Sequence, residues 1–528
     1  MNGIYELSVK RCGGHCALSI YMLSFQKLRR KQRAEDIGVM NDRLAEFSKE
    51  IRGKRVAVIG IAVSNTPLIE FLSGHGARIT AFDRAGADVL SDRIERLKPC
   101  KPEYRLGSDY LSHLKGFEWI FRTPSVRPDI PELVAERGRG AKISSEMELF
   151  LELCPSTVFG ITGSDGKTTT TTLVYEILQS HGYKCYLGGN IGKPLIADVT
   201  AMTATDMAVV ELSSFQLMSM EKSVNIAVIT NISENHLDIH KSYDEYIAAK
   251  KNIFAFQAPD DLCVLNYDNE QTRLLCAETP GRLGLFSRAE DGALRPGGSV
   301  AKKPYAAAYV REGRIIYENY SGDAENGKYD GGSVPIIRLE DILIPGGHNV
   351  ENYLAAICAV YRYADRNDIE ATARGFNGVE HRLEYFRTLN GVRYYNDSIA
   401  SSPTRTIACL NTFDQKIILI AGGKDKKLDY APLGRYLAEK VKLLILCGQT
   451  SERIKQSLLQ YCEDEEIACS VPIIECDSYE AAVSAAWKNA KAKDIVVLSP
   501  ASTSYDRFKN FEERGRMYKE LVNALPSM

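Results

Sequence analysis

Short runs of β-branched and aromatic residues alternate with stretches of helical periodicity along most of the chain. The first two runs cover residues 55–59 and 78–82, with a helical stretch at 67–73 between them. The alternation returns after residue 154 and again after residue 374. Strands that alternate with helices predict parallel sheets with helices on their faces. The pattern therefore indicates an α/β protein of three domains, of which the first and the last are Rossmann-like and the central one has a mainly parallel sheet.

The character of the sequence changes near residue 40, where the alternation begins. Residues 1–39 contain a Gly-Gly pair, two cysteines and a basic cluster, and they lack the strand–helix pattern. We expect Met40 to be the natural start and residues 1–39 to be an extension outside the fold. A basic tail that binds a partner is the alternative. The three domains are then expected at 40–153, 154–373 and 374–528.

A glycine turn after the strand at 157–161 carries the clearest chemistry. Lys167 and Thr168 open a helix directly after this turn. Backbone N–H groups at such a helix start bind phosphate, the lysine adds a cation, and the threonine offers a hydroxyl to magnesium. Five residues separate Gly160 from Gly166 where the strict Walker pattern has four, so an ordinary strand–turn–helix is the alternative. We expect a P-loop ATPase-like central domain with the triphosphate on Gly163, Ser164, Asp165, Gly166, Lys167, Thr168 and Thr169.

Two further candidates follow strands of the same domain. Glu211 ends the run at 207–210, and His236 lies in a polar stretch after the strand at 225–229. The carboxyl ends of neighbouring parallel strands meet at one edge of a sheet, so both side chains are candidate magnesium ligands. A purely structural histidine is the alternative for His236.

The first domain departs from the dinucleotide-binding fingerprint. Ala62 and Asn65 stand where the second and third glycines of G-x-G-x-x-G belong, which argues against a nicotinamide dinucleotide. Asp83, at the end of the second strand, is a candidate for holding a ribose or a uracil ring. A turn residue without a ligand is the alternative for Asp83.

The composition limits the class of protein. The chain has 528 residues, of which 45% are hydrophobic and 25% charged, and its net charge is −2. These values are typical of a soluble globular enzyme. The net charge gives no overall positive potential that would attract nucleic acid. No apolar run reaches the length of a membrane helix, and thirteen cysteines without paired metal spacing favour a reducing compartment. We expect a cytoplasmic monomer without membrane insertion.

Several motifs in order resemble the Mur ligase family, the ATP-dependent amide-forming enzymes of peptidoglycan synthesis. The motifs are the loop Gly160–Thr168, the stretches Asn231–Asp238 and Gly346–Asn352, and His381 with Arg382. Within the family, three further stretches are most similar to the branch that adds D-glutamate, namely Gly189–Gly192, Ser213–Leu217 and Ser499–Gly515.

The resemblance implies that UDP-N-acetylmuramoyl-L-alanine, ATP and D-glutamate react through an acyl phosphate. It implies two Mg²⁺ ions, and it aligns Lys250 with a lysine that is carbamylated in the family. The implied catalytic residues are Lys167, Glu211, His236, Lys250 and Arg382, and the implied metal ligands are Thr168, Glu211, His236 and Lys250. ATP contacts are implied beyond the loop at Asn349, Asn352, Arg382 and Asp397. The implied contacts to the UDP substrate are Ser64, Asn65, Asp83, Arg84, Asn190 and Ser213, and those to D-glutamate are Lys426, Ser504 and Phe511.

The chain departs from the family pattern at a few positions. Asp165 replaces the usual asparagine of the loop, and we expect it to be harmless if it points outward. Ile399 and Ser401 stand where many relatives have lysine and threonine, so the D-glutamate site loses one cation. Two alternatives to a D-glutamate ligase remain: another Mur-type or folylpolyglutamate-type amide ligase, and a nucleotide-binding regulator without catalysis. The regulator is disfavoured by the presence of Lys167, Glu211, His236 and Lys250.

Overall fold

The computed structural model describes residues 42–235, 239–288, 294, 302–320, 332–426 and 428–526. The expected extension at 1–39 and the candidate ligand His236 lie outside the described residues. The chain divides into two compact units. The first contains the described residues of Met1–Asp165, Leu178–Gly284 and Val300–Pro304, and the second those of Gly166–Ile177, Leu285–Ser299 and Tyr305–Met528.

The first unit begins with a five-stranded parallel sheet in the order β3-β2-β1-β4-β5. Its central strand β1 is buried on both faces from Val56 to Ile59, because helices cover both sides of a parallel sheet. This is the expected Rossmann-like opening. The strands are β1 (Arg55–Ile59), β2 (Arg78–Asp83), β3 (Glu103–Leu106), β4 (Trp119–Arg122) and β5 (Lys142–Ser144). The helices are α1 (42–51), α2 (Asn65–Gly74), α3 (Ser91–Leu97), α4 (Pro131–Gly138) and α5 (Glu146–Leu153).

The same unit contains five parallel strands of the central sheet, in the order β10-β9-β6-β8-β7. They are β6 (Thr157–Thr162), β7 (Cys185–Gly189), β8 (Met207–Glu211), β9 (Ile226–Ile229) and β10 (Leu262–Asn266). The helices along this part of the chain are α6 (Lys167–Ser180), α7 (Ser214–Leu217), α8 (Tyr243–Lys251) and α9 (Glu270–Leu275), and α6 belongs to the second unit up to Ile177. The sequence predicts that α8 extends to Phe256, which is wrong. The chain tightens into turns after Lys251, where Ser223 Oγ donates to the Asn252 carbonyl and accepts from the Phe256 N–H.

Strand β11 (Arg282–Ser287) begins in the first unit and ends in the second. The second unit continues with an antiparallel meander of β12 (Ala306–Arg311), β13 (Arg314–Asn319) and β14 (Ser333–Arg338). Two helices follow, α10 (Gly347–Val360) and α11 (Arg366–Gly375). The sequence places the start of α10 at Tyr353, whereas the helix starts at Gly347. Gly346 occupies its N-cap with φ +98°, a conformation that glycine adopts without strain.

The second unit ends in a six-stranded sheet in the order β15-β16-β20-β17-β18-β19. Strand β15 runs antiparallel to β16, and the other pairs are parallel. Leu419 and Ile420 belong to separate hydrophobic clusters, so helices cover both faces of this sheet. The strands are β15 (Glu384–Leu389), β16 (Val392–Asn396), β17 (Ile417–Ala421), β18 (Val441–Cys447), β19 (Ile473–Cys476) and β20 (Ile495–Leu498). The helices are α12 (Pro403–Asn411), α13 (Leu433–Lys440), α14 (Ser451–Asp464), α15 (Tyr479–Asn489) and α16 (Phe511–Asn523).

The three mainly parallel sheets confirm the predicted α/β fold class. Across the described residues, no helix combines the length and the apolar character that a bilayer crossing demands. All cysteines in the same residues are free thiols. The domain boundaries at 153 and 373 stay a prediction.

Candidate functional site

The loop between β6 and α6 depends on two glycines with positive φ. Gly163 has φ +149°, and a Cβ there would lie 1.8 Å from Oγ1 of Thr230. Gly166 has φ +79°, and a Cβ there would lie 2.3 Å from Oδ1 of Asn352. Both positions therefore require glycine for conformation and for space.

The chain after β9 holds the first half of the loop. Asn231 Oδ1 accepts from the Asp165 N–H at 2.9 Å, and Asn231 Nδ2 donates to the Asp165 carbonyl at 3.2 Å. Thr230 Oγ1 donates to the same carbonyl at 2.5 Å. Ser164 Oγ donates to the Ser233 carbonyl at 3.0 Å and accepts from its N–H at 2.9 Å. Because β6 and β9 are parallel neighbours, their carboxyl ends bring these two polar segments together.

Asp165 is the unexpected acid of the loop, and it is exposed. Its backbone N–H and carbonyl form the hydrogen bonds to Asn231. An exposed carboxylate is solvated and interacts with other charges through water. The outward position agrees with the expectation that this departure is tolerated.

Lys250, on α8, lies under the loop and is only 2% exposed. Its Nζ donates to the Gly163 carbonyl at 2.7 Å and to Thr162 Oγ1 at 3.4 Å. The ammonium also lies 4.6 Å from the ring centroid of Tyr246, a cation–π distance. Lys251, by contrast, pairs with Glu278 at the surface. The structure therefore distinguishes two adjacent lysines that sequence reasoning from the residues alone cannot rank.

Glu211 ends β8, beside the end of β6, and is 2% exposed. Asn190 Nδ2 donates to its Oε1 at 2.8 Å, and the Asn190 N–H donates to its backbone carbonyl at 2.8 Å. Carboxylate oxygen is a ligand that Mg²⁺ prefers, so Glu211 is chemically suited to the expected metal. Asn190 orients this carboxylate.

Ser213 is the N-cap of α7, in a reciprocal capping box with Gln216. The Gln216 N–H donates to Ser213 Oγ at 3.3 Å, and the Ser213 N–H donates to Gln216 Oε1 at 2.9 Å. The hydroxyl of this expected substrate contact thus also stabilises the helix start.

In the second unit, the start of α6 packs against the start of α10. Thr170 Oγ1 donates to Asn352 Oδ1 at 3.2 Å, and Asn352 Nδ2 donates to Asn349 Oδ1 at 3.1 Å. Asn349 Nδ2 donates to the Pro345 carbonyl at 2.6 Å. The two asparagines are buried and linked to each other, so α10 presents them as one unit beside Gly166.

Asp397 follows β16 and is buried, with 6% exposure. Its Oδ1 accepts from the Leu383 N–H at 3.2 Å, and its Oδ2 accepts from Ser499 Oγ at 2.8 Å. Burial raises the pKa of Asp397 to about 6, while the hydrogen bonds and the charge of Arg382 act to lower it. Burial also lowers the pKa of His381, so both groups favour their neutral forms more than in water.

Of the three residues expected at the D-glutamate position, Lys426 and Ser504 lie on loops of the last sheet and Phe511 lies at a helix start. Lys426 is exposed, and its Nζ lies 5.5 Å from the ring centroid of Tyr505. Ser504 is buried. Phe511 begins α16, and its backbone carbonyl accepts from Ser398 Oγ at 2.8 Å.

In the first sheet, the expected substrate contacts Asn65 and Asp83 both shape the turn after β1. Asn65 is fully buried, and its Nδ2 donates to the Ile59 and Gly60 carbonyls at 2.9 and 3.0 Å. Asp83 accepts from the Ile61 N–H at 2.7 Å through Oδ2 and from the Ala85 N–H at 2.8 Å through Oδ1. Asp83 therefore shapes the turn, and its contact with a ligand stays a prediction. Ser64 is half-buried and Arg84 exposed.

Comparisons with known proteins agree with this arrangement. The model of the Mur ligase middle domain matches residues 161–360, and that of the Mur ligase glutamate ligase domain matches residues 381–502. The chain is 50% identical over 486 residues to the UDP-N-acetylmuramoylalanine–D-glutamate ligase of Acetivibrio thermocellus, and 49% identical over 486 residues to that of Ruminiclostridium cellulolyticum. Each alignment covers 92% of this chain and 100% of the relative.

The chain belongs to the Mur ligase family. Mur ligases are ATP-dependent enzymes that form amide bonds in peptidoglycan synthesis, so this chain is an ATP-binding ligase. The crystal structure of UDP-N-acetylmuramate–alanine ligase from Thermotoga maritima has a TM-score of 0.51 at 17% identity, over 89% of this chain and 99% of that one. That likeness supports the fold alone.

Within this Mur ligase, each of the two compact units contains some of the expected site residues in mutual contact. The first unit brings Lys250 to the first half of the phosphate loop and Asn190 to Glu211. The second unit brings Asn352 to the start of α6. His236 lies outside the described residues.

Several residues that contact the loop between β6 and α6 are absent from the site residues predicted from the sequence. Tyr246 OH lies 3.0 Å from Ser164 Oγ, and its ring lies beside the Lys250 ammonium. Helical spacing contains a signal for it, because residues four apart share one face of a helix. Thr230 and Ser233 carry no such signal, since their role depends on the pairing of β6 with β9.

Proposed function

We propose that the chain adds D-glutamate to UDP-N-acetylmuramoyl-L-alanine in the cytoplasm, with ATP as the energy source. The observation that carries the ATP-dependent step of this proposal is the buried Lys250 at the Gly163 carbonyl, beneath a phosphate loop with two obligatory glycines. Relatives named for this substrate pair are 50% and 49% identical along their full length. Identity of that extent supports a shared substrate as well as a shared fold.

The chemistry proceeds in two steps. A carboxylate is a poor electrophile, so the carboxylate oxygen of the nucleotide substrate first attacks the γ-phosphorus of ATP. The bond from phosphorus to the bridging oxygen of ADP breaks, and an acyl phosphate forms. The amine of D-glutamate then attacks the acyl carbon, phosphate leaves, and the amine loses a proton. Both steps place negative charge on phosphoryl oxygens, which cations must offset.

The phosphate loop supplies part of this positive field. Backbone N–H groups at the start of α6, from Gly166 to Thr169, and the helix dipole are suited to bind the phosphates, and Lys167 adds an ammonium group. Asn349 and Asn352 lie near the adenine, while Arg382 and Asp397 contact the ATP from the last sheet. Lys167, Glu211, His236, Lys250 and Arg382 form the proposed catalytic set.

The residues fit magnesium by donor chemistry. Thr168 offers a hydroxyl and Glu211 a carboxylate already oriented by Asn190, and both are oxygen donors of the kind that Mg²⁺ prefers. When bound, Mg²⁺ supplies charge stabilisation at the phosphoryl oxygens. As an ammonium, Lys250 donates to Gly163 and does not bind a cation. Addition of CO₂ to its neutral amine, with loss of one proton, would give a carbamate whose oxygens can do so.

The substrates occupy separate parts of the chain. We assign the UDP-sugar to Ser64, Asn65, Asp83, Arg84, Asn190 and Ser213, and D-glutamate to Lys426, Ser504 and Phe511. Lys426 pairs with a carboxylate of the amino acid. The corresponding domains are 40–153 for the nucleotide substrate, 154–373 for ATP and 374–528 for the amino acid, and the enzyme acts as a monomer.

The decisive experiment offers the purified chain ATP, Mg²⁺ and UDP-N-acetylmuramoyl-L-alanine with one amino acid at a time. Phosphate release and the product mass are measured with D-glutamate, L-glutamate, L-alanine and L-lysine. We expect product with D-glutamate alone, and none from the Lys167→Ala variant. Turnover with another amino acid, in the absence of turnover with D-glutamate, rejects the proposal.

A further inference from the structure

The loop after β17 carries Lys426 and is joined to the turn after β20. The Lys424 N–H donates to the Thr503 carbonyl at 2.8 Å. Lys426 lies two residues farther, exposed, with its ammonium 5.5 Å from the Tyr505 ring centroid. These contacts place the cation beside the turn that contains Ser504.

Arg453, in the first turn of α14, holds this loop on both sides of Lys426. Its Nη1 donates to Asp425 Oδ1 at 2.6 Å, immediately before Lys426. Its Nη2 donates to the Leu428 carbonyl at 2.5 Å, shortly after it. One planar guanidinium therefore joins two points of an irregular loop to a rigid helix.

A third contact begins a path from Arg453 to the turn after β20. Its guanidinium carbon lies 4.9 Å from the ring centroid of Tyr430, which is buried. Tyr430 OH lies 2.8 Å from Ser502 Oγ, which lies 2.7 Å from Thr450 Oγ1. The hydroxyl chain thus connects the loop of Lys426 to the turn of Ser504 through side chains that are largely buried.

We infer that Arg453 is a positioning residue, which fixes the loop so that the Lys426 ammonium is ready for the carboxylate of the amino-acid substrate. The inference rests on the proposed function. A flexible lysine on a mobile loop loses conformational entropy when it binds, and a loop fixed in advance reduces that loss. The Arg453→Lys substitution keeps the positive charge but removes the guanidinium group, whose two nitrogens bind Asp425 and Leu428 at the same time.

The test compares the Michaelis constants of three substrates in R453M, R453K and a control, R435M. Arg435 lies on α13 in an exposed i,i+4 pair with Glu439. We expect R453M and R453K to raise the KM of D-glutamate about tenfold, in line with loss of preorganisation. The KM values of ATP and of the nucleotide substrate, and kcat, should stay within about twofold, and R435M should match the unchanged protein.

A double variant identifies the route of the effect. If Arg453 acts through Lys426, R453M combined with K426M raises the KM of D-glutamate no further than K426M alone. Additive effects, an unchanged KM in R453M, or a parallel rise for all three substrates overturns the inference. Failure of the unchanged protein to use D-glutamate rejects the proposed function together with it. Turnover by the unchanged protein with no response to R453M rejects the inference alone.

Discussion

The Nζ of Lys250 lies 2.7 Å from the carbonyl oxygen of Gly163, in a position that is closed to solvent. The next residue, Lys251, pairs with Glu278 at the surface. Adjacent residues on a helix point about 100° apart, so one faces the phosphate loop and the other faces water. The two lysines therefore form a matched pair for separating a role at the loop from a general effect of charge.

We expect Lys250→Ala to reduce kcat at least about a hundredfold, since it removes a buried group at the reaction site. The kcat of Lys251→Ala should remain within about twofold of that of the unchanged protein, because exposed ion pairs contribute little to stability. The kcat of both variants is measured as the rate of ADP release at saturating substrate concentrations. Equal losses in the two variants would assign the effect to helix α8 rather than to Lys250.

Gly166→Ala should weaken ATP binding and also destabilise the fold. The added Cβ would lie 2.3 Å from Asn352 Oδ1, in addition to the strain of φ +79°. Gly182→Ala is the control, because φ is +95° there and a Cβ meets nothing within 4 Å. We expect about 1–2 kcal/mol loss of unfolding free energy from the backbone strain in the control, and a larger loss at Gly166. Urea unfolding and ATP titration provide the measurements, and equal losses would contradict the steric argument.

Asp397 should make the stability of the protein decrease as pH rises from about 4 to 6. Its folded pKa of about 6 exceeds the ordinary aspartate pKa of 3.8, so the folded state binds more protons in this window. The stabilisation is complete below the unfolded pKa and is lost as pH rises through the folded pKa, with a total on the order of 2–3 kcal/mol.

The Asp397→Asn variant isolates this contribution, because an amide does not titrate there. Urea unfolding of both proteins at pH 4, 5, 6 and 7 gives the difference in unfolding free energy. We expect the unfolding free energy of the variant to rise relative to that of the unchanged protein from pH 4 through pH 6, and the difference to level off at about pH 7. A difference independent of pH would show that burial does not raise the pKa of this carboxyl.

Asp165→Asn should preserve the loop and moderately strengthen ATP binding. The hydrogen bonds of Asp165 to Asn231 come from its backbone, so the substitution leaves them in place. Removal of an exposed negative charge near phosphates is expected to lower the KM of ATP by less than about threefold, with a smaller effect at high salt. A salt-independent loss of affinity would indicate that the carboxylate has a direct role.

Much of the architecture can be predicted from local patterns. The strand preceding the phosphate loop lies at Thr157–Thr162, where its β-branched run predicts it. Errors occur at helix ends, as at Phe256 and Gly347, because ends depend on tertiary hydrogen bonds and on glycine conformation rather than on periodicity.

The sequence alone determined the order of strands and helices, the glycine turn with Lys167 and Thr168, and the family motifs, since each is a short-range pattern of residue types. Only the tertiary structure separated Lys250 from Lys251, brought Asn231 to Asp165, and joined Arg453 to both sides of Lys426. Those contacts connect segments far apart in the chain, and strand pairing and helix packing decide them. The raised pKa of Asp397 has the same origin. The surrounding fold, rather than the neighbouring sequence, buries this carboxyl away from water.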